Sequence, residues 1–207
     1  MLNRIRVGAH DESDIKILMS QVCGSCHNSE KGKDLLGLSG SMAICSKHEQ
    51  RQEINEKIQA STLSDQPLFH LYARDYNTSG QPLPFFDTEI LNAMKGVMPA
   101  LISVRKNARV MITRNLDVQG GIVNGTCGIL RSVHQKFLII EHHVTHEIIP
   151  VTKVKQRISL RGTGRFVYRL QFPIILSWAC TVHLVQGTIL DSVLINLDKT
   201  FCAPGQA

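Results

Sequence analysis

Three thiols and two imidazoles in the first quarter of the chain have spacings that suggest a metal site. The stretch CGSCH contains Cys23, Cys26 and His27 and fits the C-x-x-C-H pattern that attaches c-type haem. Cys23 and Cys26 also open a longer pattern, C-x2-C-x18-C-x2-H, which ends at Cys45 and His48. Three thiolates and one imidazole are an ordinary donor set for a structural zinc ion. The spacing leaves three interpretations open: haem, zinc, or cysteines in a loop.

The surrounding sequence weakens both metal interpretations. The N-terminal stretch MLNRIRVGAHDES has no apolar segment for export, so haem attachment is disfavoured and an intracellular, reducing compartment is expected. The chain also has no apolar run long enough for a membrane span. Cys45 is expected to end a strand and His48 to lie in the first turn of a helix. These elements fix the directions of the two side chains, so their convergence with Cys23 and Cys26 on one metal ion is not implied. We expect loop cysteines, with zinc as the minority alternative.

Positive charge is concentrated in one part of the chain. The net charge is +6, and residues 101–175 contain twelve lysines and arginines against three carboxylates. A localised basic block is an electrostatic footprint for nucleic acid, and a solvated basic surface is the alternative. Arg109 and Arg114, in the stretch ARVMITRN, are the candidate phosphate contacts. An exposed strand edge would explain the same two residues.

The elements around this block are predicted from periodicity. HDESDIKILMSQV reads as a helix, since Asp11 and Asp14 resemble a capping box and apolar residues recur at helical spacing. SMAIC reads as a strand, and the S-x-x-E pair of Ser46 and Glu49 predicts a helix from about Lys47. PLFHLYARD is a further predicted strand and DTEILNAMKG a short helix. A strand running into a helix favours an α/β fold.

The basic block has a different pattern. Five short β-type runs follow at close spacing, with tight-turn signals at 120–121 and 124–125, and predict a small antiparallel barrel or sheet. The runs are ARVMIT, GTCGILRSV, KFLIIEHH, HEIIPV and FVYRLQF. After them, FPIILSWACTV reads as one buried strand and SVLINL as another, on either side of a turn with a short helix. The pattern predicts an α/β domain interrupted by a β-rich basic insertion.

Two stretches resemble motifs of one protein family. The sequence ACTVHLVQGTILD resembles A-x-T-[IV]-H-K-[SA]-Q-G-x-T-L-D, motif V of the PIF-type (petite integration frequency) DNA helicases, relatives of the bacterial RecD helicases. The sequence VRKNARVMITRNLDVQGGIVNGTCGIL resembles the segment that enters the small β-barrel insertion of that family. The two motifs occur in the family's order and separation.

The resemblance implies a fold and a division of the chain. The fold is an incomplete RecA-like motor lobe of the P-loop NTPase superfamily, with an inserted small antiparallel β-barrel. The four expected segments are the tail of a first motor lobe with its connector, the first part of the second lobe, the basic β-rich insertion, and the return to the second lobe with motif V. They correspond to residues 1–38, 39–86, 87–165 and 166–207.

The resemblance also implies a function. The family comprises ATP-dependent 5′-to-3′ DNA helicases that act in repair, recombination and telomere maintenance on single-stranded or forked DNA, with ATP and Mg²⁺ as cofactors. By analogy the expected location is the nucleus and the mitochondrion.

The site residues follow from the two matched motifs. In motif V, Thr181, His183, Gln186 and Gly187 would couple the nucleotide site to DNA. From the second motif, Arg109, Arg114 and Asn115 would contact DNA. Phe172 and Trp178 could stack on bases, but a place in the core is the stronger expectation.

Several features depart from the family pattern. The sequence contains no phosphate-cradling G-x-x-x-x-G-K-[ST] loop, no acidic Mg²⁺ motif and no family arginine motif, so no catalytic residue is assigned and a missing first motor lobe is expected. Leu184, Val185 and Ile189 replace the family's lysine, small residue and threonine. We expect no ATP hydrolysis by this polypeptide alone. The alternatives are a non-catalytic module that binds single-stranded DNA or a partner, and the relic of a mobile-element helicase.

Overall fold

The computed structural model describes residues 2–21, 41–84, 98–160, 165–185, 190 and 192–195. The chain divides into two compact units, a first unit of residues 1–51 with 180–207 and a second unit of residues 52–179. The helices of the described residues are α1 (Leu2–Arg6), α2 (Glu12–Ser20) and α3 (His48–Thr62). The strands are β1 (Ser41–Cys45), β2 (Leu68–Tyr72), β3 (Arg74–Tyr76), β4 (Leu101–Arg105), β5 (Arg109–Ile112), β6 (Cys127–Val133), β7 (Phe137–His142), β8 (Ile148–Thr152), β9 (Val154–Ser159), β10 (Phe166–Gln171), β11 (Ile174–Leu176), β12 (Ala179–Thr181) and β13 (Ser192–Ile195).

Helix α2 begins with the capping box that the sequence predicts. The Asp14 amide donates to Asp11 Oδ1 at 2.9 Å, and the Asp11 amide donates to Asp14 Oδ2 at 3.3 Å. Arg4 of α1 adds two hydrogen bonds to the Asp14 carboxylate, at 2.8 and 2.6 Å. These bonds from Arg4, opposed by burial, lower the pKa of Asp14 to about 2. The two reciprocal bonds satisfy amides that the first turn of a helix leaves without partners.

A small sheet with parallel pairing includes strands from both ends of the sequence. Its strand order is β12-β1-β13, and β1 pairs in parallel with β13, with Ser41 opposite Ser192. Met42, Ala43 and Cys45 of β1 are buried. Helix α3 follows β1 directly. Parallel pairing together with a helix after the strand is the α/β arrangement that the sequence predicts.

Antiparallel sheets dominate the second unit. The largest has the order β11-β5-β6-β7-β8, and its β6–β7 pairing contains a register shift between Leu130 and Ser132. A second sheet has the order β3-β10-β9, and β2 pairs with β4. Leu138 and Ile140 on β7, and Ile149 and Val151 on β8, are buried at alternate positions of their strands. This alternation identifies the face of the large sheet that packs into the core.

A buried ion pair links two strands of the second sheet. Arg169 of β10 donates to both carboxylate oxygens of Asp75 on β3, at 2.7 and 2.6 Å, and to the Met98 carbonyl at 2.9 Å. The Arg169 side chain is 1% exposed. A buried guanidinium needs such a set of acceptors, because an unpaired charge in the interior is very costly.

Most of the predicted strands are confirmed. Those of the basic block correspond to β5, β6, β7, β8 and β10, and SMAIC and SVLINL correspond to β1 and β13. Gly121 and Gly125, at the two predicted turns, have φ values of 75° and 96°, which glycine adopts readily. The strands form antiparallel sheets, and their closure into a barrel stays a prediction. The predicted helix DTEILNAMKG lies outside the described residues.

Two runs that were expected to be single strands are divided, and PLFHLYARD contains β2 and the start of β3, which pair in different sheets. The run FPIILSWACTV is not one strand, because it divides into β11 and β12, which belong to different sheets. At the break the Ser177 amide donates to the Arg109 carbonyl at 3.0 Å, while both Ser177 and Trp178 are buried. Strand β9 was also missed, since its sequence VKQRIS has few apolar residues.

No helix in the described part of the chain is long and apolar enough to cross a membrane.

Candidate functional site

The segment that resembles motif V leaves the end of a buried strand. Thr181 is the last residue of β12 and is 4% exposed. A single 3-10 turn, Val182–Leu184, follows it, and His183 on this turn is exposed. Gln186 and Gly187, the other two residues assigned to the motif, lie outside the described residues. The structure therefore shows half of the predicted site, a buried hydroxyl followed by an exposed imidazole.

A buried amide holds the strand that leads into this turn. Asn55 of α3 donates from Nδ2 to the Ala179 carbonyl at 2.8 Å, and its Oδ1 accepts from the Ala179 amide at 2.9 Å. Asn55 is 3% exposed. The side chain thus satisfies both backbone groups of one strand residue as a neighbouring strand would. Asn55 positions the start of the motif, and sequence reasoning missed it.

Two basic side chains of α3 lie near the turn within the first unit. Burial lowers the pKa of His48, and the charges of Arg51 and His183 act in the same direction. Burial also lowers the pKa of the Arg51 guanidinium, while the nearby Cys180 thiol opposes this shift. Arginine nevertheless stays charged at neutral pH. Half-buried Arg51 therefore places a positive charge near Cys180, just before the turn, where it favours an anionic neighbour over a cationic one.

The three predicted DNA contacts occupy different environments. Arg114 donates to Gln156 Oε1 of β9 at 2.9 Å and to the Thr113 carbonyl at 3.5 Å. Its Nε is buried and has no hydrogen-bond partner among the described residues. Arg109 is half-buried at the start of β5. The structure does not bring Arg114 to an open surface, and a direct contact of Arg114 with DNA stays a prediction.

Asn115 stabilises the loop between β5 and β6 through its side chain. Its Oδ1 accepts from the Asn124 amide at 2.9 Å, and the Gly125 amide donates to the Ile112 carbonyl at 2.8 Å. These bonds close the loop between β5 and β6, as expected for an Asn-Gly turn. The match of Asn115 to the family motif is therefore explained by loop architecture, and its contact with DNA is untested.

The remaining candidates are placed as follows. Phe172 and Trp178 are 2% and 4% exposed, which confirms their place in the core. Cys45 is fully buried at the end of β1, and His48 is exposed at the start of α3. Cys23 and Cys26 lie outside the described residues, so the zinc hypothesis stays a prediction.

Comparisons with known proteins show similarity to PIF1 helicases in both sequence and fold. No protein-family model matches the chain. ATP-dependent DNA helicase PIF1 of Xenopus laevis is 36% identical over 109 residues, covering 51% of this chain and 17% of the relative. A crystal structure of Bacteroides sp Pif1 in complex with ADP-AlF4 superposes with a TM-score of 0.64 at 22% identity, covering 99% of this chain and 43% of that structure. Bacteroides Pif1 bound to single-stranded DNA gives 0.62 over the same shares, also at 22% identity.

The superposition defines the fold: it is the fold seen in the Pif1 helicase structures, mixed α/β with mostly strands. The sequence similarity then identifies the branch. Over about half its length the chain is similar in sequence to proteins named ATP-dependent DNA helicase PIF1, as its two motifs predicted. It spans about a sixth of the length of these curated PIF1 proteins.

Proposed function

We propose that this chain is the second-lobe and β-rich portion of a PIF1-type DNA helicase, and that it binds single-stranded DNA. The observation that carries the proposal is the 36% identity, over half the chain, to a protein named ATP-dependent DNA helicase PIF1. The fold similarity to a Pif1 bound to single-stranded DNA supports it. By the same relationship we propose 5′-to-3′ unwinding of forked DNA in repair, recombination or telomere maintenance, in the nucleus and the mitochondrion, for the complete motor.

Within this proposal the motif V turn transmits strain between DNA and nucleotide. Asn55 fixes the backbone of Ala179, so that β12 ends at a defined place. Thr181 follows as a buried hydroxyl, and His183 is the exposed group that can exchange hydrogen bonds with a neighbour. A rigid strand followed by a short turn lets a small displacement at one end reach the other. Gln186 and Gly187 would continue this path.

The nucleotide chemistry requires groups that this chain lacks. ATP hydrolysis in the P-loop class depends on a phosphate-cradling loop and on acidic residues that hold Mg²⁺. The 207 residues contain no G-x-x-x-x-G-K-[ST] sequence. The residues present therefore do not fit a complete ATP and Mg²⁺ site, and those cofactors belong to the family rather than to this polypeptide.

The test is DNA-stimulated phosphate release by the purified 207-residue chain. We expect none above the buffer rate, with or without a thymidine oligonucleotide. The same preparation should increase the fluorescence anisotropy of a labelled oligonucleotide at low salt. Phosphate release that co-purifies with the chain through two orthogonal columns would contradict the expected lack of ATPase activity. Absence of binding at low salt would contradict the proposed DNA-binding role.

A second candidate function is a decayed helicase segment without activity. The observation that favours it is the apolar replacement in motif V, where half-buried Leu184 and Val185 occupy positions of a cation and a small residue. A folded circular-dichroism spectrum combined with no oligonucleotide binding at low salt is the outcome expected for such a relic. Binding that weakens with salt would instead support a DNA-binding module.

A further inference from the structure

The sheet formed by β3, β10 and β9 has one buried and one accessible face. On β10 the side chains of Val167 and Arg169 are buried, at 3% and 1% exposed. Phe166 and Tyr168, which alternate with them, are half-buried. Successive side chains of a strand point to opposite faces, so Phe166 and Tyr168 share the accessible face. This face therefore carries two aromatic rings that are partly accessible to solvent.

Cations on the neighbouring strand lie directly over aromatic rings. Lys155 and Arg157 of β9 are two positions apart, so they project to one side about 6.6 Å from each other, and Lys153 directly precedes the strand. The Lys153 Nζ lies 5.2 Å from the centre of the Phe172 ring, the Lys155 Nζ 4.5 Å from that of Tyr168, and the Arg157 guanidinium carbon 3.7 Å from that of Phe166. We call Lys155, Arg157, Phe166 and Tyr168, flanked by Lys153, the cation–aromatic stripe.

The third strand extends the same surface. In the β3–β10 pairing Tyr76 lies opposite Tyr168, and Arg74 lies opposite Leu170. Residues directly opposite each other in an antiparallel pair project to the same face. Arg74 is exposed, and its charge acts on Lys153, which places the two cations near each other. The face therefore has cations on both edge strands and aromatic rings between them.

Negative charge is confined to the opposite face. The three strands, all of them described by the structure, contain one carboxylate, Asp75, which pairs with buried Arg169. Gln156, which accepts from Arg114, lies opposite Arg169 in the β9–β10 register and so also faces the buried side. The stripe is thus a different surface from the one that Arg114 occupies. It has no carboxylate on its own strands to neutralise it.

We propose that the cation–aromatic stripe binds single-stranded nucleic acid. Lys155 and Arg157 contact successive phosphates, since their spacing along the strand is comparable with that of phosphates on an extended single strand. Tyr168 and the outer plane of the Arg157 guanidinium offer flat surfaces to unpaired bases. The proposal rests on the proposed DNA-binding role and assigns it to particular residues, none of which was singled out from the sequence.

The chemistry favours a single strand over the other polyanions. In a duplex the bases are stacked inside and cannot reach the rings. An acidic protein segment would use the cations but would leave the flat surfaces without a partner. Interleaved cations and flat groups match a ligand in which phosphates and unpaired bases alternate.

The experiment compares two pairs of substitutions that remove the same charge from the full chain. The test pair is Lys155→Gln with Arg157→Gln, and the control pair is Lys106→Gln with Lys136→Gln, two exposed lysines outside this sheet. Binding of a labelled thymidine oligonucleotide is measured by anisotropy across a salt series. Each lost phosphate contact makes the slope of log K against log salt shallower by about 0.7, so we expect a change of about 1.4 for the test pair and none for the control.

Three further arms make the result decisive. Lys155→Gln alone, a milder change if the double variant unfolds, should alter the slope by about 0.7. Tyr168→Leu should weaken binding about tenfold without changing the slope, because it removes a stacking surface and no charge. Polyglutamate should compete poorly. Equal losses in the test and control pairs would overturn the proposal, as would strong competition by polyglutamate with no effect of Tyr168→Leu. A wild-type chain that binds no oligonucleotide would overturn the proposed function itself.

Discussion

Buried amide side chains hold backbone segments in place at three positions of the second unit. Gln59, one turn after Asn55 on α3, donates to the Ser103 carbonyl at 3.3 Å and accepts from the Arg105 amide at 2.8 Å. Gln171 donates to the Leu71 carbonyl and accepts from the Phe172 amide, both at 2.9 Å. In each case one side chain serves a carbonyl and an amide together, which is the pairing that an amide group can provide.

Asn55 gives the sharpest prediction at this scale. Asn55→Ala should lower the free energy of unfolding by about 2–4 kcal/mol, because it leaves the Ala179 amide and carbonyl buried without partners. Urea denaturation followed by circular dichroism measures the change. Gln52→Ala, an exposed amide on the same helix, is the matched control and should stay within about 0.5 kcal/mol. Equal effects of the two substitutions would show that Asn55 has no special structural role.

Among the elements, hairpins and capped helices could be predicted from the sequence and strand breaks could not. Alternation of apolar residues and the glycine turns identified β6 to β8, because each has a buried and a more accessible side. The break between β11 and β12 is set by bonds of Ser177 with a distant strand, which local sequence does not encode. Strand β9 could have been predicted from a different pattern. Its alternating residues are the cations Lys155 and Arg157, preceded by Lys153, rather than apolar residues.

The β3–β10 pairing depends on one buried ion pair. Asp75→Asn should cost about 3–5 kcal/mol, because it leaves the Arg169 guanidinium buried without its counter-charge. The exposed pair of Lys57 and Glu53 on α3 is the comparison, and Glu53→Gln should cost less than about 1 kcal/mol. Thermal and urea unfolding of both variants give the two values. A cost for Asp75→Asn as small as that of the exposed pair would mean that water reaches Arg169 readily.

For the whole molecule, the two sequence motifs predicted the similarity to PIF-type helicases better than they predicted the residues of the candidate DNA-binding site. The order and separation of two motifs were enough to identify the PIF-type resemblance, which the similarity to PIF1 proteins and the Pif1 fold confirm. The candidate binding residues were harder to predict. Arg114 and Asn115 match the family motif, yet their side chains are used in bonds to Gln156 and Asn124. The cation–aromatic stripe needs strands that are distant in sequence to pair, so it became visible only in the fold.

The most direct test of the account is the salt dependence of single-strand binding by the intact chain. Anisotropy of a labelled thymidine oligonucleotide is followed from about 50 to 200 mM salt. If Lys155 and Arg157 each meet a phosphate, log K should fall with log salt at a slope of about −1.4 or steeper, about 0.7 for each contact. A slope near zero, or no binding at low salt by a chain whose circular dichroism shows it folded, would contradict the claim that this chain binds DNA through its sheet surface.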